Sequence, residues 1–368
     1  MDGPPDVSSL RVSHEILGLI AEIDEFKGAW LAIGRLAPER LSRLRHVATI
    51  ESVGSSTRIE GARLSDPEVE QLLSAIEVGS FTTRDEQEVA GYADTMNTVF
   101  AAWEVLDLTE NHVRQLHRDL LKYSEKDERH RGAYKTLPNH VEAFGPGGTR
   151  LGVVFETAAP FDTPRLTGEL LTWTRTGLTR PADLHPLLVI AVFVVTFLAI
   201  HPFQDGNGRL SRILTTLLLL RAGYAYVPYC SLESVIERSR DAYYLALRRT
   251  QKTLRTAEPD WDPWLAYFLT ALQRQKRHLH SKIERERQTI GDLAELSLRI
   301  LQLARDHGRV TIRAAAAATG ASRNTVKDHV RTLTRDGRLT RHGSGRGTWY
   351  APAWLPDGAP GSDDPEPV

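Results

Sequence analysis

The chain has 368 residues, 41% of them hydrophobic, and its 46 Lys and Arg nearly balance 47 Asp and Glu, leaving a formal net charge of −1. Two or more domains are expected at that length, each able to bury a core. The single Cys230 rules out an internal disulfide framework and a cysteine metal cluster, and Met1 is followed by Asp, Pro and Ser with no apolar leader or membrane anchor, so a cytoplasmic location is expected.

In chain order, Val12 to Leu36 carries apolar residues at helical spacing and predicts a helix. Leu41, Leu44, Val47 and Ile50 recur at helical spacing before Ser56-Thr57-Arg58-Ile59-Glu60-Gly61. Gly61 is a helix stop there, so Glu60 is expected to project from the last turn. Ser65-Asp66-Pro67 starts a further helix running to Val78. Leu187 to Ile200 reads LLVIAVFVVTFLAI, too short to span a bilayer and therefore a helix buried in the core.

Where that helix ends, His201-Pro202-Phe203-Gln204-Asp205-Gly206-Asn207-Gly208-Arg209 is followed by Arg212. Gly206 and Gly208 let successive backbone N–H groups converge on one point, and the next helix opens with its positive end facing the same spot, so an anion is the expected occupant. Leu210, Ile213, Leu214, Leu217 and Leu218 hold that helix to the core, while Arg209 and Arg212 lie i, i+3 on an adjacent face where both guanidiniums reach one polyphosphate. Asp205 offers a hard oxygen to the Mg²⁺ that accompanies a nucleoside triphosphate. Asn207 either donates to a phosphate oxygen or orients the loop. His201 is suited to take the proton of a hydroxyl attacking phosphorus. Phe203 is expected to anchor the loop in the core.

This stretch resembles the signature of Fic domain proteins, HPFx[D/E]GNGRxxR, at every defined position. The resemblance implies transfer of AMP from ATP to a Ser, Thr or Tyr hydroxyl of a target protein, with release of pyrophosphate. It assigns His201 as general base, Asp205 as metal carboxylate, Gly206, Asn207 and Gly208 as anion hole, and Arg209 and Arg212 as phosphate clamps. His130-Arg131-Gly132-Ala133-Tyr134-Lys135 with Asn139 resembles the family's segment before a β-hairpin flap, and Thr149 to Phe155 one strand of that flap, to which a target segment adds by strand pairing. Usual members carry Arg at Lys135 and a bulky aromatic at His140. Asp241-Ala242-Tyr243-Tyr244-Leu245-Ala246-Leu247 resembles the helix beside the adenine pocket; Tyr243 and Tyr244 are nucleotide contacts or plain helix packing. Ser56 to Gly61 matches the family's inhibitory motif [S/T]xxxE[G/N], which implies that Glu60 pairs with Arg212 and fills the space of the γ-phosphate. Holding activity at about 1% takes only ~2.7 kcal/mol of preference for that closed state. Removal of AMP by the same Glu is implied for some members.

The C-terminal part differs in charge. From Leu296 to Tyr350, eleven basic residues face three acidic ones, a net charge of +8 that attracts polyanions. Gln273 to Glu295 is polar with mixed charges and reads as a solvated connecting helix. Leu298, Ile300, Leu301 and Leu303 suit one helix, Ile312 to Thr319 a second, Gly320 a turn, and Ser322 caps a third that runs to Leu333. Asp336-Gly337 then turns into two short strands around the glycine-rich 343–347. The whole resembles a winged helix-turn-helix domain, with Arg323, Asn324, Lys327, His329, Arg341 and Arg346 as candidate DNA contacts. The tail from Pro352 on cannot bury a core and is expected to be disordered.

The fold class expected is mainly α, with a Fic-type helical core and β-hairpin flap plus a small winged domain. Its boundaries are a helical region with the inhibitory motif (1–108), a catalytic domain (109–272), a connecting helix (273–295), the winged helix (296–352) and the tail (353–368). Expected partners are ATP, Mg²⁺, a protein target and DNA, with no membrane; a homodimer is left open. The competing reading is a winged-helix transcription regulator that senses ATP and has lost catalysis. An intact His201 favours the enzyme, since a sensor needs the phosphate clamp but no base.

Overall fold

The computed structural model describes residues 3–33, 38–74, 81–144, 150–291 and 295–353. Of the tail expected to be disordered from Pro352 on, Pro352 instead ends a paired strand, and residues from 354 on lie outside the described ones. The chain divides into two compact units, Met1–Leu279 and His280–Val368.

The first unit is built around helix α7 (Pro186–Ile200). Every residue from Leu187 to Ile200 is buried, as an all-apolar helix requires, and neighbours cover it on all sides. Pro186 supplies the first helical φ, and His185 Nδ1 accepts the Leu187 N–H (3.3 Å) to cap the start. Helices α6 (Thr163–Thr179), α8 (Asn207–Arg221) and α10 (Arg240–Gln251) pack against α7, and Trp264 of α11 (Asp262–Gly291) donates its indole N–H to the Ala191 carbonyl at 2.7 Å. The expected apolar stripe of α8 is fully buried.

The preceding helices form an outer layer. Helix α1 (His14–Ile33) reaches the ends of α7 and α8 through Asp24, which pairs with His185 Nε2 (3.0 Å) and accepts from the Tyr224 hydroxyl (2.6 Å). Helix α2 (Pro38–Ile59) packs on α9 (Leu232–Arg238) and on α4 (Arg84–Ala102). Of its expected stripe, Leu44 and Ile50 are buried, whereas Val47 is exposed and Ala48, four residues after Leu44, is buried beside them. Helix α3 (Asp66–Ser74) starts beside Ser65, whose N–H and hydroxyl both donate to Glu68; the rest of the helix expected to reach Val78 lies outside the described residues. Helix α5 (Glu110–Leu120) lies against α4 and α8. Strands β1 (Val141–Phe144) and β2 (Arg150–Phe155) pair antiparallel with two register shifts. Thr149, expected in the second strand, lies outside the described residues.

The second unit has helices α12 (Glu295–Asp306), α13 (Ile312–Thr319) and α14 (Arg323–Arg335) and the antiparallel pair β3 (Leu339–His342) and β4 (Trp349–Pro352). Gly320 takes a left-handed conformation (φ 72°) that closes α13, and Ser322 Oγ accepts the Thr325 N–H (3.1 Å) to open α14. Ile300, Leu301, Ala304, Val326, Val330 and Leu333 close a core against Leu339, and Val310 bridges to Tyr350. The architecture is a winged helix-turn-helix. No described helix of the chain is long and apolar enough to cross a membrane.

Candidate active site

His201 ends α7 in the left-handed region (φ 53°), the one non-glycine with positive φ among the described residues. A β-carbon makes that conformation cost on the order of 1–3 kcal/mol, so the surroundings must hold it. Its N–H donates to Phe197 O at 2.8 Å, and Nδ1 lies 3.2 Å from Leu198 O. A carbonyl only accepts, so Nδ1 carries the proton and Nε2 keeps its lone pair. Burial pushes the imidazole down to about 4, and the charge of Lys135 adds to this, so His201 is neutral at pH 7.

The loop beyond it is braced from beneath. Phe203 is fully buried and its ring stacks on His117 at 3.8 Å. His117 is held at both nitrogens: Nδ1 accepts the Gly132 N–H (2.9 Å) and Nε2 donates to Asp205 O (3.0 Å). Asn207 accepts from Phe203 N (2.9 Å) and donates to Phe203 O (2.7 Å), so its carboxamide orients the loop, the second of its two expected roles.

Gly206, at φ 78°, turns the chain into α8, whose first turn faces the cavity. Asp205 accepts the Gly206 N–H at 2.6 Å and lies 3.4 Å from Arg209 Nη2 and 3.7 Å from Lys126. Burial alone would raise its carboxyl, but Arg209, the Gly206 N–H and Lys126 hold it below its ordinary value. Arg209 is buried against Glu88 (3.4 Å), yet its Nε and Nη1 have no hydrogen-bond acceptor. Nη1 is the atom that faces Glu88, so the buried Nε–H is the donor left to receive an oxygen that the protein itself does not provide.

Arg212 already has its anion. Its Nη2 donates to Glu60 Oε1 (2.8 Å) and to Ser56 O (3.0 Å), and its Nε to Ser56 Oγ (2.8 Å). Burial would raise the Glu60 carboxyl, but Arg212 and Arg209 hold it below its ordinary value. The Glu60 carboxylate sits so close over Gly208 that a β-carbon there would collide with it. Thus Glu60, one third exposed, lies on the positive end of α8 as an anion would. Gly61, at φ 109°, ends the helix that delivers it.

These groups line one cavity of about 750 Å³ that extends along α10 past Tyr243, Tyr244 and Leu247 to Gln251. Tyr243 is buried against Trp264 and Tyr267; Tyr244 is half-buried. Eight residues of helix between Tyr243 and Gln251 span about 12 Å, enough for a nucleotide's length from phosphate to base. Among the described residues no cluster of three His, Cys, Asp or Glu could hold a metal; the cavity wall carries the separate carboxylates of Glu60, Glu88, Asp205 and Asp241, of which Glu60 is bonded to Arg212. A carboxylate such as Asp205, beside the first turn of α8, fits Mg²⁺, whose remaining ligands are phosphate and water.

Sequence reasoning missed His117, Glu88 and Gln251, since each meets its neighbours through distant chain segments. It also missed Arg58, which forks onto Glu237 of α9 (2.6 and 3.1 Å), donates to Leu64 O (2.9 Å) and pairs with Asp66 (3.0 Å). In the second unit Arg323, Asn324, Lys327 and Arg341 are exposed, whereas His329 is half-buried with Nδ1 2.8 Å from Ser297 Oγ, tying α14 to α12 instead of reaching outward. The Arg346 side chain lies outside the described residues.

Residues 107–219 match the model of the Fic/DOC family. The chain carries a Fic domain. Residues 289–340 match a winged helix-turn-helix DNA-binding model. The chain is 26% identical over 231 residues to the protein adenylyltransferase Fic of Drosophila willistoni, covering 62% of this chain and 42% of that protein. Against the protein of the same name in Drosophila melanogaster it is 26% identical over 210 residues, covering 56% and 38%. The chain therefore spans less than half the length of these relatives. In fold it is similar to a Fic family protein of Desulfovibrio desulfuricans (TM-score 0.61, 24% identity, 97% of this chain and 99% of that one). It is also similar to Fic-1 of C. elegans (TM-score 0.56, 19% identity, 74% and 72%).

Proposed function

We propose that the chain is an autoinhibited protein adenylyltransferase, moving AMP from ATP to a Ser, Thr or Tyr hydroxyl of a protein target. The observation that carries this reading is the Glu60 carboxylate on Arg212 and Gly208, an internal anion where the end of a triphosphate would lie. The neutral His201 has Nε2 free to take the proton of the attacking hydroxyl. As that oxygen bonds to the α-phosphorus, the bond from phosphorus to the α–β bridging oxygen breaks and pyrophosphate leaves. The charge of the bound polyphosphate raises His201 from about 4 toward the working pH, which strengthens it as a base. Arg209, Arg212 after Glu60 withdraws, and the first turn of α8 bind the phosphates and hold the developing charge. Asp205 would hold Mg²⁺, which neutralises phosphate charge when bound. Gln251 and the Tyr244 ring are the groups left at the far end for the base, and the β1–β2 hairpin offers a target segment an edge.

The second unit supplies a basic surface for DNA, through the exposed first turn of α14. The ATP-sensing alternative is separated by one variant. In a Glu60→Gly background, His201→Ala should abolish AMP transfer while calorimetry shows ATP affinity unchanged within about twofold. Transfer that persists without His201, or a Glu60→Gly parent that binds ATP but transfers nothing, overturns the enzyme reading.

A further inference from the structure

Lys135 is 3% exposed, and among the described residues no carboxylate pairs with it. Its ammonium donates to three neutral oxygens: Asn139 Oδ1 (2.8 Å), Thr157 Oγ1 (3.0 Å) and the Ile200 carbonyl (2.9 Å). Asn139 precedes β1 and Thr157 follows β2, so both legs of the hairpin meet at this one charge. Ile200 is the last residue of α7, where carbonyls lack helical partners and the helix presents its negative end.

The four carbonyls around the catalytic histidine are all held from this segment. Lys135 Nζ takes Ile200 O, and the Lys135 backbone N–H takes Pro202 O at 2.9 Å. Asn139 Nδ2 takes His201 O (3.3 Å) and Phe203 O (2.6 Å), and Lys135 in turn fixes Asn139 through Oδ1. A buried charge without a counterion is costly, and the brace it makes is what keeps His201 in its unfavourable left-handed conformation.

We propose that Lys135 is a positioning residue for proton abstraction: by clamping residues 200–203 to the base of the hairpin it aims His201 Nε2 into the cavity. The inference rests on the transferase reading. The phosphate-binding groups lie beyond the clamp, on α8, so Lys135 governs turnover and leaves nucleotide affinity alone. A neutral amine has two N–H groups for three acceptors, so turnover should fall as the ammonium loses its proton. Burial lowers Lys135 to about 8, which places that loss in an accessible range. The titratable and charged groups around it are His201 from α7, His140 before β1, and the exposed Glu156 and Arg255, whose guanidinium donates to the Glu156 and Thr157 carbonyls.

The test uses the full chain in the Glu60→Gly form and follows AMP transfer against pH. Lys135→Met should lower kcat by about 10- to 100-fold, the scale of a misplaced catalytic group, with KM for ATP within about twofold. Lys135→Arg, which keeps its charge at all working pH, should restore most of kcat and abolish an alkaline limb near pH 8. Unchanged kcat in Lys135→Met, a parallel loss of ATP affinity, or a limb that stays put in Lys135→Arg overturns the proposal. Should Lys135→Met fail to fold, the limb in Lys135→Arg decides alone. If the Glu60→Gly parent transfers nothing, the transferase reading falls by itself, and imidazole NMR still reads the placement. Loss of the Nδ1-protonated His201 tautomer in Lys135→Met upholds the clamp, and an unchanged spectrum refutes it.

Discussion

Under the proposed inhibition, Arg58 latches the helix that carries Glu60, so Arg58→Ala should raise activity with Glu60 still present. The guanidinium sits two residues before Glu60, forks onto Glu237 and also holds Leu64 O and Asp66, which pins the last turn of α2 to α9 and to the chain beyond it. Its side chain is 23% exposed and that of Glu237 is 29% exposed, so solvent screens the pair in part. Hydrogen bonds to charged groups contribute about 1.5–3 kcal/mol, and the lower end suits this exposure. Subtracting ~1.5 kcal/mol from the ~2.7 kcal/mol that holds a closed state at 1% activity leaves ~1.2 kcal/mol, an active share of roughly one in nine. Initial rates of AMP transfer from α-labelled ATP should therefore rise about tenfold in Arg58→Ala, and Arg58→Ala on top of Glu60→Gly should add nothing. Unchanged rates in Arg58→Ala alongside a strongly activated Glu60→Gly would refute the latch.

His117 makes stability depend on pH. Burial pushes its imidazole down to about 4, below its unfolded value, so its contribution is complete above pH ~6.5 and is lost as the pH falls toward 4. The span corresponds to roughly 3 kcal/mol, and urea unfolding at pH 7 and pH 4.5 should show a smaller difference in His117→Phe than in the natural chain. In the second unit, Arg323→Ala and Lys327→Ala should each weaken DNA binding and reduce the salt slope by about one. His329→Ala should instead lower the melting temperature and leave that slope unchanged, because its ring is bonded to Ser297.

The arrangement of the 201–212 segment was legible because it is local. Gly206, Asn207 and Gly208 follow one another, and Arg209 and Arg212 share a helix face, so order along the chain already fixes their juxtaposition. The winged unit was legible for the same reason: Gly320 and Ser322 carry their turn and cap in their own residue types. What stayed hidden joins distant segments. Phe203 reads as an anchor from its place in the loop, but that it lies on His117 of α5 follows only from the packing of α5 against α8. Lys135 reads as an ordinary lysine until its ammonium is found under residues 200–203, and nothing in the residues around Arg58 points to Glu237, 179 positions away.

In the proposed function Glu60 occupies the place of the nucleotide's terminal phosphate and thereby suppresses AMP transfer. Intact-mass analysis of the natural chain and its Glu60→Gly form, each incubated with ATP, Mg²⁺ and cell lysate as a target source alongside α-labelled ATP, tests it most directly. Glu60→Gly should label itself or lysate proteins on the order of 100-fold faster than the natural chain, matching ~2.7 kcal/mol of closed-state preference. Equal labelling of the two forms, at any rate, would contradict it.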